Sequence, residues 1–260
     1  MPHAAEADYS AASSPSFTPG PVLLLGAPGV GKGTQAKALM AVWQVPQIST
    51  GDILRAIKSD PVKAGTPVGK LAKELMAQGL LVPDELVNDL VALRLQEPDT
   101  ARGFILDGFP RTLGQAKWLD SHLASTPGID GQKRLPVVAL SVNVGYNQLL
   151  RRITGRRNCP VCKSIYNVYT HPPVIEGICD REGAILEQRT DDTEAIFTER
   201  MRTYQAQTAP VIDHYRALGR FEELNGELAV EDVTARILGA LVRLRSENLA
   251  NIVTGNGRGQ

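Results

Sequence analysis

A lysine that closes a run of glycines is equipped to hold phosphate. In Gly26-Ala27-Pro28-Gly29-Val30-Gly31-Lys32-Gly33-Thr34 the glycines leave room for backbone N–H groups to converge on one concave spot. Lys32 adds a full positive charge there, and the helix that follows adds the partial charge of its N-terminus. An apolar run, Val22-Leu23-Leu24-Leu25, precedes the glycines, and a helical pattern at Gln35–Trp43 follows them. Strand, glycine loop, lysine and helix form a P-loop, so the chain is expected to bind a nucleoside triphosphate. The pattern departs from the usual one: Gly33 stands where Ser or Thr commonly ligates magnesium, and the hydroxyl arrives one residue later at Thr34. The metal must therefore be held differently.

More cations recur at intervals that suit phosphate. Ser49-Thr50-Gly51-Asp52-Ile53-Leu54-Arg55 offers hydroxyl and carboxylate caps for a helix that carries an arginine. Asp107-Gly108-Phe109-Pro110-Arg111-Thr112 follows the strand-like Gly103–Leu106, which places Asp107 to reach magnesium through water and Arg111 to grip a phosphate bidentately. Arg152 and Arg156 are four apart, a spacing that predicts one shared helix face. Arg189 precedes a helix expected to start near Thr193, and Arg200 lies within it. A lone arginine is usually a solvated surface residue, but six at strand ends and insertion borders form a pattern. None of the four histidines lies within these motifs, so no general base is in view. Phosphoryl transfer needs none: positioning, charge neutralisation and exclusion of water carry it.

The three cysteines form a separate cluster. Cys159-Pro160-Val161-Cys162 and then Cys179, after sixteen intervening residues, make most of a zinc spacing. Glu182 occupies the fourth slot, and Asp180 and His171 are substitutes for it. The alternative is a metal-free segment with reduced thiols.

Elements that position these residues follow from apolar patterning. Val22–Leu25, Gly103–Leu106 and Val137–Val144 read as buried parallel strands, with Phe221–Leu224 as a further one. Helical patterns fall at Leu54–Ala56, Val68–Gln78, Asp84–Gln96 and Leu113–Leu123. Val230, Val233, Ile237, Leu241 and Leu244 make the apolar stripe of a final helix. Alternation of strand and helix predicts a three-layer α/β sandwich around a parallel sheet, with the ligand beyond the strands' carboxyl ends. The 260 residues suffice for such a domain with insertions. Lys plus Arg and Asp plus Glu are equal in number, so no global attraction to nucleic acid or anionic membrane is expected. Residues 1–20 lack Arg and Lys and carry no apolar stretch, which argues against a targeting signal. They read as a disordered leader, residues 247–260 as a disordered tail, and the protein as cytoplasmic.

GAPGVGKGT, PQISTGDILR, GLLVPDELV, GFILDGFPRT with Gln115, RRITGRR and QRTDD, in that order, resemble the adenylate kinase family. The resemblance covers about Pro21 to Ser246, and DGFPR together with GAPGxGKGT is its most specific part. It implies a monomer with a core at residues 21–48, 83–154 and 193–246. It further implies a helical nucleoside-monophosphate insertion at 49–82 and a small β-rich lid at 155–192. It implies reversible transfer from MgATP to AMP giving two ADP, with GTP:AMP or UMP/CMP phosphotransfer on the same fold as alternatives. Gly29, Val30, Gly31, Lys32, Gly33 and Thr34 would cradle ATP phosphates, with Arg152 packing on its adenine. Thr50, Arg55, Val82, Gly108, Arg111 and Gln115 would hold AMP, Gln115 reading adenine. Arg156, Arg189 and Arg200 would surround the transferring group; Arg189 and Arg200 would also touch AMP. Asp52 and Asp107 would hold hydrated magnesium, and Asp191 and Asp192 would pair with arginines at the lid border. In the lid, Cys159, Cys162, Cys179 and Glu182 would hold a structural zinc. A small-GTPase-like switch is disfavoured: it needs Ser or Thr directly after the lysine and an Asn-Lys-x-Asp, and the sequence has neither. A non-catalytic zinc-ribbon module would explain only the lid.

Overall fold

A computed structural model describes residues 12, 17–60, 65–127 and 134–254. Five parallel strands, β1 (Gly20–Leu25), β2 (Gln47–Ser49), β3 (Gly103–Asp107), β4 (Val138–Asn143) and β7 (Phe221–Asn225), line up in the order β2-β3-β1-β4-β7. Alternate residues of β1 explain why its run is apolar throughout. Val22 and Leu24 pack on one face with Trp43, Ile153 and Leu241, whereas Leu23 and Leu25 pack on the other with Val91, Leu119 and Tyr215. A strand buried on both faces has no polar side to show.

Helices cover both faces: α1 (Lys32–Trp43), α2 (Thr50–Ser59), α3 (Pro67–Ala77), α4 (Asp84–Leu95), α5 (Leu113–Ser125), α6 (Tyr146–Thr154), α7 (Glu194–Thr203), α8 (Ala209–Ala217) and α9 (Val230–Thr254). Ser49, Thr66, Thr112 and Thr193 cap α2, α3, α5 and α7, each side chain accepting a hydrogen bond from a backbone N–H of the first turn. Between α6 and α7, two short antiparallel strands, β5 (Arg156–Asn158) and β6 (Ile165–Asn167), build a small satellite around Cys159, Tyr166, Cys179 and Leu186. No helix among the described residues is long and apolar enough to cross a membrane.

The predicted sandwich and its parallel sheet are present. Three expectations change, and one strand was not anticipated. Arg156 does not share a helix face with Arg152: α6 stops at Thr154 and Arg156 opens β5. The stretch β2 is a strand too short for its periodicity to show, paired with β3 through Ile48 and Leu106. The leader is not wholly detached. Ala12 is buried, Trp43 Nε1–H donates to its carbonyl at 3.0 Å, and Arg245 Nε–H donates to the Pro19 carbonyl at 2.8 Å. Most of residues 1–16 lie outside the described residues. The tail is shorter than expected, because α9 runs on to Thr254.

Candidate active site

The P-loop hangs between the end of β1 and the start of α1. Gly29 and Gly31 take left-handed backbone angles, φ 86° and 103°. A Cβ on Gly29 would lie 2.8 Å from Ile153 Cγ1 and 3.0 Å from the Leu149 carbonyl, so only glycine lets the loop press against α6. Lys32 folds back over the loop and donates to the carbonyls of Gly26 at 2.8 Å and Ala27 at 3.1 Å. Burial pushes its ammonium down to about 8; Asp107 pulls upward, and Arg111, Arg200 and Arg156 push further down. Lys32, Arg111, Arg156 and Arg200 thus put positive charge around one point, where an anion is favoured. Thr34, expected in the ATP-phosphate cradle, is exposed, while Asp107 Oδ2 lies 3.6 Å from where a Gly33 Cβ would stand.

Asp107 ends β3 and accepts from Gln47 Nε2 at 3.0 Å. Asp52, expected to share its task, is instead paired with Arg55 one turn on along α2. Partial burial pushes the Asp52 carboxyl up, but the charge and hydrogen bonds of Arg55 hold it below the usual range. Gly108 follows with φ 78°; a Cβ there would meet Arg111 Nη2 at 2.9 Å, so the glycine lets the guanidinium fold over the loop. Arg111 Nε–H donates to the Gly108 carbonyl at 2.7 Å, and Thr50 Oγ1–H donates to the same oxygen at 2.8 Å. Burial, then the charge of Arg200, lowers the Arg111 guanidinium to about 10.

Two cavities meet here. One is lined by Thr50, Arg55, Val82, Gly108, Arg111 and Gln115, the residues expected at an acceptor nucleotide. The other lies beside Lys32, Gly26, Phe109 and Tyr204. Both include Gly108, Arg111 and Arg200. Arg200 reaches the junction from α7 and donates to Asp191 Oδ2 at 3.3 Å. Arg156 makes a two-pronged pair with the fully buried Asp192, with Nε–H to Oδ2 at 2.8 Å. Burial, followed by the charges of Arg156 and Arg55, lowers Arg189 to about 10. Arg152 ties α6 to the loop by donating to the carbonyls of Val30 at 3.2 Å and Gly226 at 3.1 Å.

The three thiols also come together. The Sγ atoms of Cys159, Cys162 and Cys179 all lie within 4.8 Å of one another. Cys159 sulfur accepts from the N–H groups of Val161 and Cys162. Burial alone would raise the Cys179 thiol, but hydrogen bonds from Tyr166 and the N–H groups of Arg181 and Glu182 bring it down to about 7. Three converging sulfurs fed by backbone donors fit a thiolate-bound metal. Glu182 does not complete the set: its side chain is exposed and its carboxylate stands outside the cluster. The substitutes do not join the sulfurs either: Asp180 Oδ1 accepts from the Val174 N–H at 2.8 Å, and His171 stacks on Tyr166.

A glycine-loop lysine at the carboxyl end of a parallel sheet, facing a second cavity across half-buried arginines, defines a P-loop phosphotransferase. The adenylate kinase family profile matches residues 24–220. The chain is 44% identical over 221 residues to the adenylate kinase of Thermodesulfovibrio yellowstonii, covering 85% of this chain and 98% of that protein. It is 45% identical over 213 residues to that of Nitrosococcus oceani (82% and 92%) and 46% over 220 residues to that of Caldicellulosiruptor bescii (85% and 98%). The chain belongs to the adenylate kinase family, and its activity is that family's phosphotransfer; the sister GTP:AMP and UMP/CMP readings are not favoured.

Sequence reasoning passed over Asp84. It sits inside the quoted GLLVPDELV, where a carboxylate in the first helical turn reads as a cap. In the fold its Oδ1 accepts from Gln115 Nε2 at 2.8 Å and its Oδ2 from Thr112 Oγ1 at 2.6 Å.

Proposed function

We infer that the chain transfers the γ-phosphoryl of MgATP to AMP reversibly, giving two ADP, with the donor on the P-loop and the acceptor in the cavity that Gln115 lines. The observation that carries this is the junction: the two cavities share Arg111 and Arg200. A group bound at Lys32 and a group bound beside Thr50 can thus face each other across the same guanidiniums. Lys32 and the backbone N–H groups of Gly29, Val30, Gly31, Gly33 and Thr34 hold the donor phosphates, and Arg152 lies against its base. Arg55, Arg111 and Gly108 take the acceptor phosphate; Thr50, Val82 and Gln115 take its nucleoside. Arg156, Arg189 and Arg200 spread their charge around the group in flight, which develops charge on its equatorial oxygens. Asp107, standing beside Gly33, faces the hydrated magnesium of the donor, with Asp52 farther out.

Residues 49–82 and 155–192 act as movable covers that exclude water, since an open site would hydrolyse ATP. The pairs Arg156–Asp192 and Arg200–Asp191 sit at the border of the second cover and support this reading. The protein works in the cytoplasm as a monomer, with nucleotides rather than nucleic acid or membrane as its partners. A nucleotide panel tests the whole assignment. ATP or GTP is supplied with AMP, CMP, UMP or GMP, and diphosphate is followed. ATP with AMP is expected to be fastest by at least about tenfold. Absence of ADP from magnesium, ATP and AMP would overturn it.

Within the lid, Cys159, Cys162 and Cys179 would hold a structural zinc. The metal would lock the knuckle's fold and take no part in the reaction. Elemental analysis of metal-replete protein is expected to give about one zinc per chain. Chelation should then lower the melting temperature. No zinc in that preparation would refute the site.

A further inference from the structure

Gln115 is buried, and both ends of its amide are engaged by protein. Oε1 accepts from the Arg111 backbone N–H at 2.7 Å, and Nε2 donates to Asp84 Oδ1 at 2.8 Å. An amide has two N–H bonds and two carbonyl lone pairs. One of each remains, and Gln115 lines the acceptor cavity. The orientation of the amide therefore decides which order of donor and acceptor the incoming base meets. A 6-amino purine presents an N–H at position 6 and a lone pair at N1. A 6-oxo purine presents the reverse, a carbonyl at position 6 and an N–H at N1. Turning the amide over would exchange its preference from one to the other.

The turn is blocked twice. It would set Nε2 against the Arg111 N–H, donor to donor, and Oε1 against the Asp84 carboxylate, acceptor to acceptor. An ionised carboxylate can only accept. Asp84 is itself held: Thr112 Oγ1 donates to its other oxygen at 2.6 Å, and it lies in the first turn of α4 opposite the first turn of α5. Gly114 leaves room for it, since a Cβ there would stand 3.0 Å from Asp84 Oδ2.

We propose that Asp84 is a specificity-determining residue acting through Gln115: it fixes the amide in the orientation that accepts a 6-amino purine and rejects a 6-oxo purine. This rests on the reading of Gln115 as the residue that meets the acceptor base. Asp84 touches no substrate; it is a positioning residue.

The test compares AMP with IMP, its 6-oxo counterpart, as acceptor. Asp84→Asn keeps the shape but supplies a group that can donate or accept. Of the two blocks the carboxylate's is then lifted and the Arg111 N–H remains, so the turned amide is populated more than in the wild type. The expected result is that the ratio of kcat/KM for AMP over IMP falls at least about tenfold, chiefly because IMP improves. A merely structural role would slow both acceptors in parallel and leave the ratio at the wild-type value, which would overturn the proposal. Should the amide variant not fold, Asp84→Ser, which also donates or accepts, is measured with the same two outcomes. Gln115→Ala separates the underlying reading. If Gln115 meets the base, this variant loses the AMP preference whatever Asp84 does; if the preference survives, the reading of Gln115 fails and the proposal with it.

Discussion

Lys32→Met is expected to lower kcat about a thousandfold while the folded protein remains intact or gains stability. The catalytic part follows from where Lys32 points. Its ammonium sits over the P-loop beside Asp107 and joins Arg111, Arg156 and Arg200 in one field. A preorganised charge aimed at phosphate oxygens acts on the transition state without waiting for solvent to reorganise. The stability part follows from the depressed ammonium. In the unfolded chain a lysine titrates near 10.4. In the fold Lys32 titrates at about 8. The protonated form is therefore disfavoured by folding, and the cost is fully present below about pH 8. It fades as pH rises from there toward the unfolded value, and amounts to roughly 3 kcal/mol at most. Methionine carries no such cost. Thermal melts from pH 6 to 10 without nucleotide should show the wild type gaining on the variant above pH 8. Triphosphate should stabilise the wild type more, because it supplies the missing countercharge. Near-normal turnover in the variant would remove Lys32 from the mechanism.

Arg111→Lys is expected to lower kcat/KM for AMP by about 100- to 1000-fold, with KM for ATP changed only a few fold. The substitution keeps a positive charge at the start, yet little else survives. Arg111 uses Nε–H to hold the Gly108 carbonyl, and its remaining guanidinium edge faces the acceptor cavity. An ammonium cannot do both in fixed geometry. Burial and Arg200 already lower the guanidinium to about 10. A lysine starts lower, so the same surroundings weaken its hold on the proton further. Steady-state kinetics with each nucleotide varied in turn checks this. A larger loss toward ATP than toward AMP would place Arg111 on the donor side instead.

Much of this site is legible in the sequence because it is local. Glycine spacing, the lysine after it and the apolar run before it are covalently tied, so strand, loop and helix N-terminus follow from short-range backbone constraints. The same holds for Asp107-Gly108 and Arg111 after β3, and for Cys159 and Cys162 in one knuckle. Errors arose where range or length exceeded what periodicity carries. The three residues of β2 form a strand only because β3 offers a partner. Arg156 left the helix because the chain turns into the lid after Thr154, and a spacing of four says nothing about where a helix ends. Ala12 and Pro19 are held by Trp43 and Arg245, distant residues whose donors no local pattern announces.

The chain's own order of residues thus determined the parallel sheet, the phosphate loop and the identity of the arginines. Folding alone decided which of them meet. It drew Arg111 and Arg200 to the wall between two cavities, paired Asp52 with Arg55, left Glu182 outside the thiols and set Asp84 against Gln115. The physical reason is range. Backbone conformation is set by near neighbours, whereas charge, burial and hydrogen-bond partnership depend on separations of a few ångströms that only packing creates.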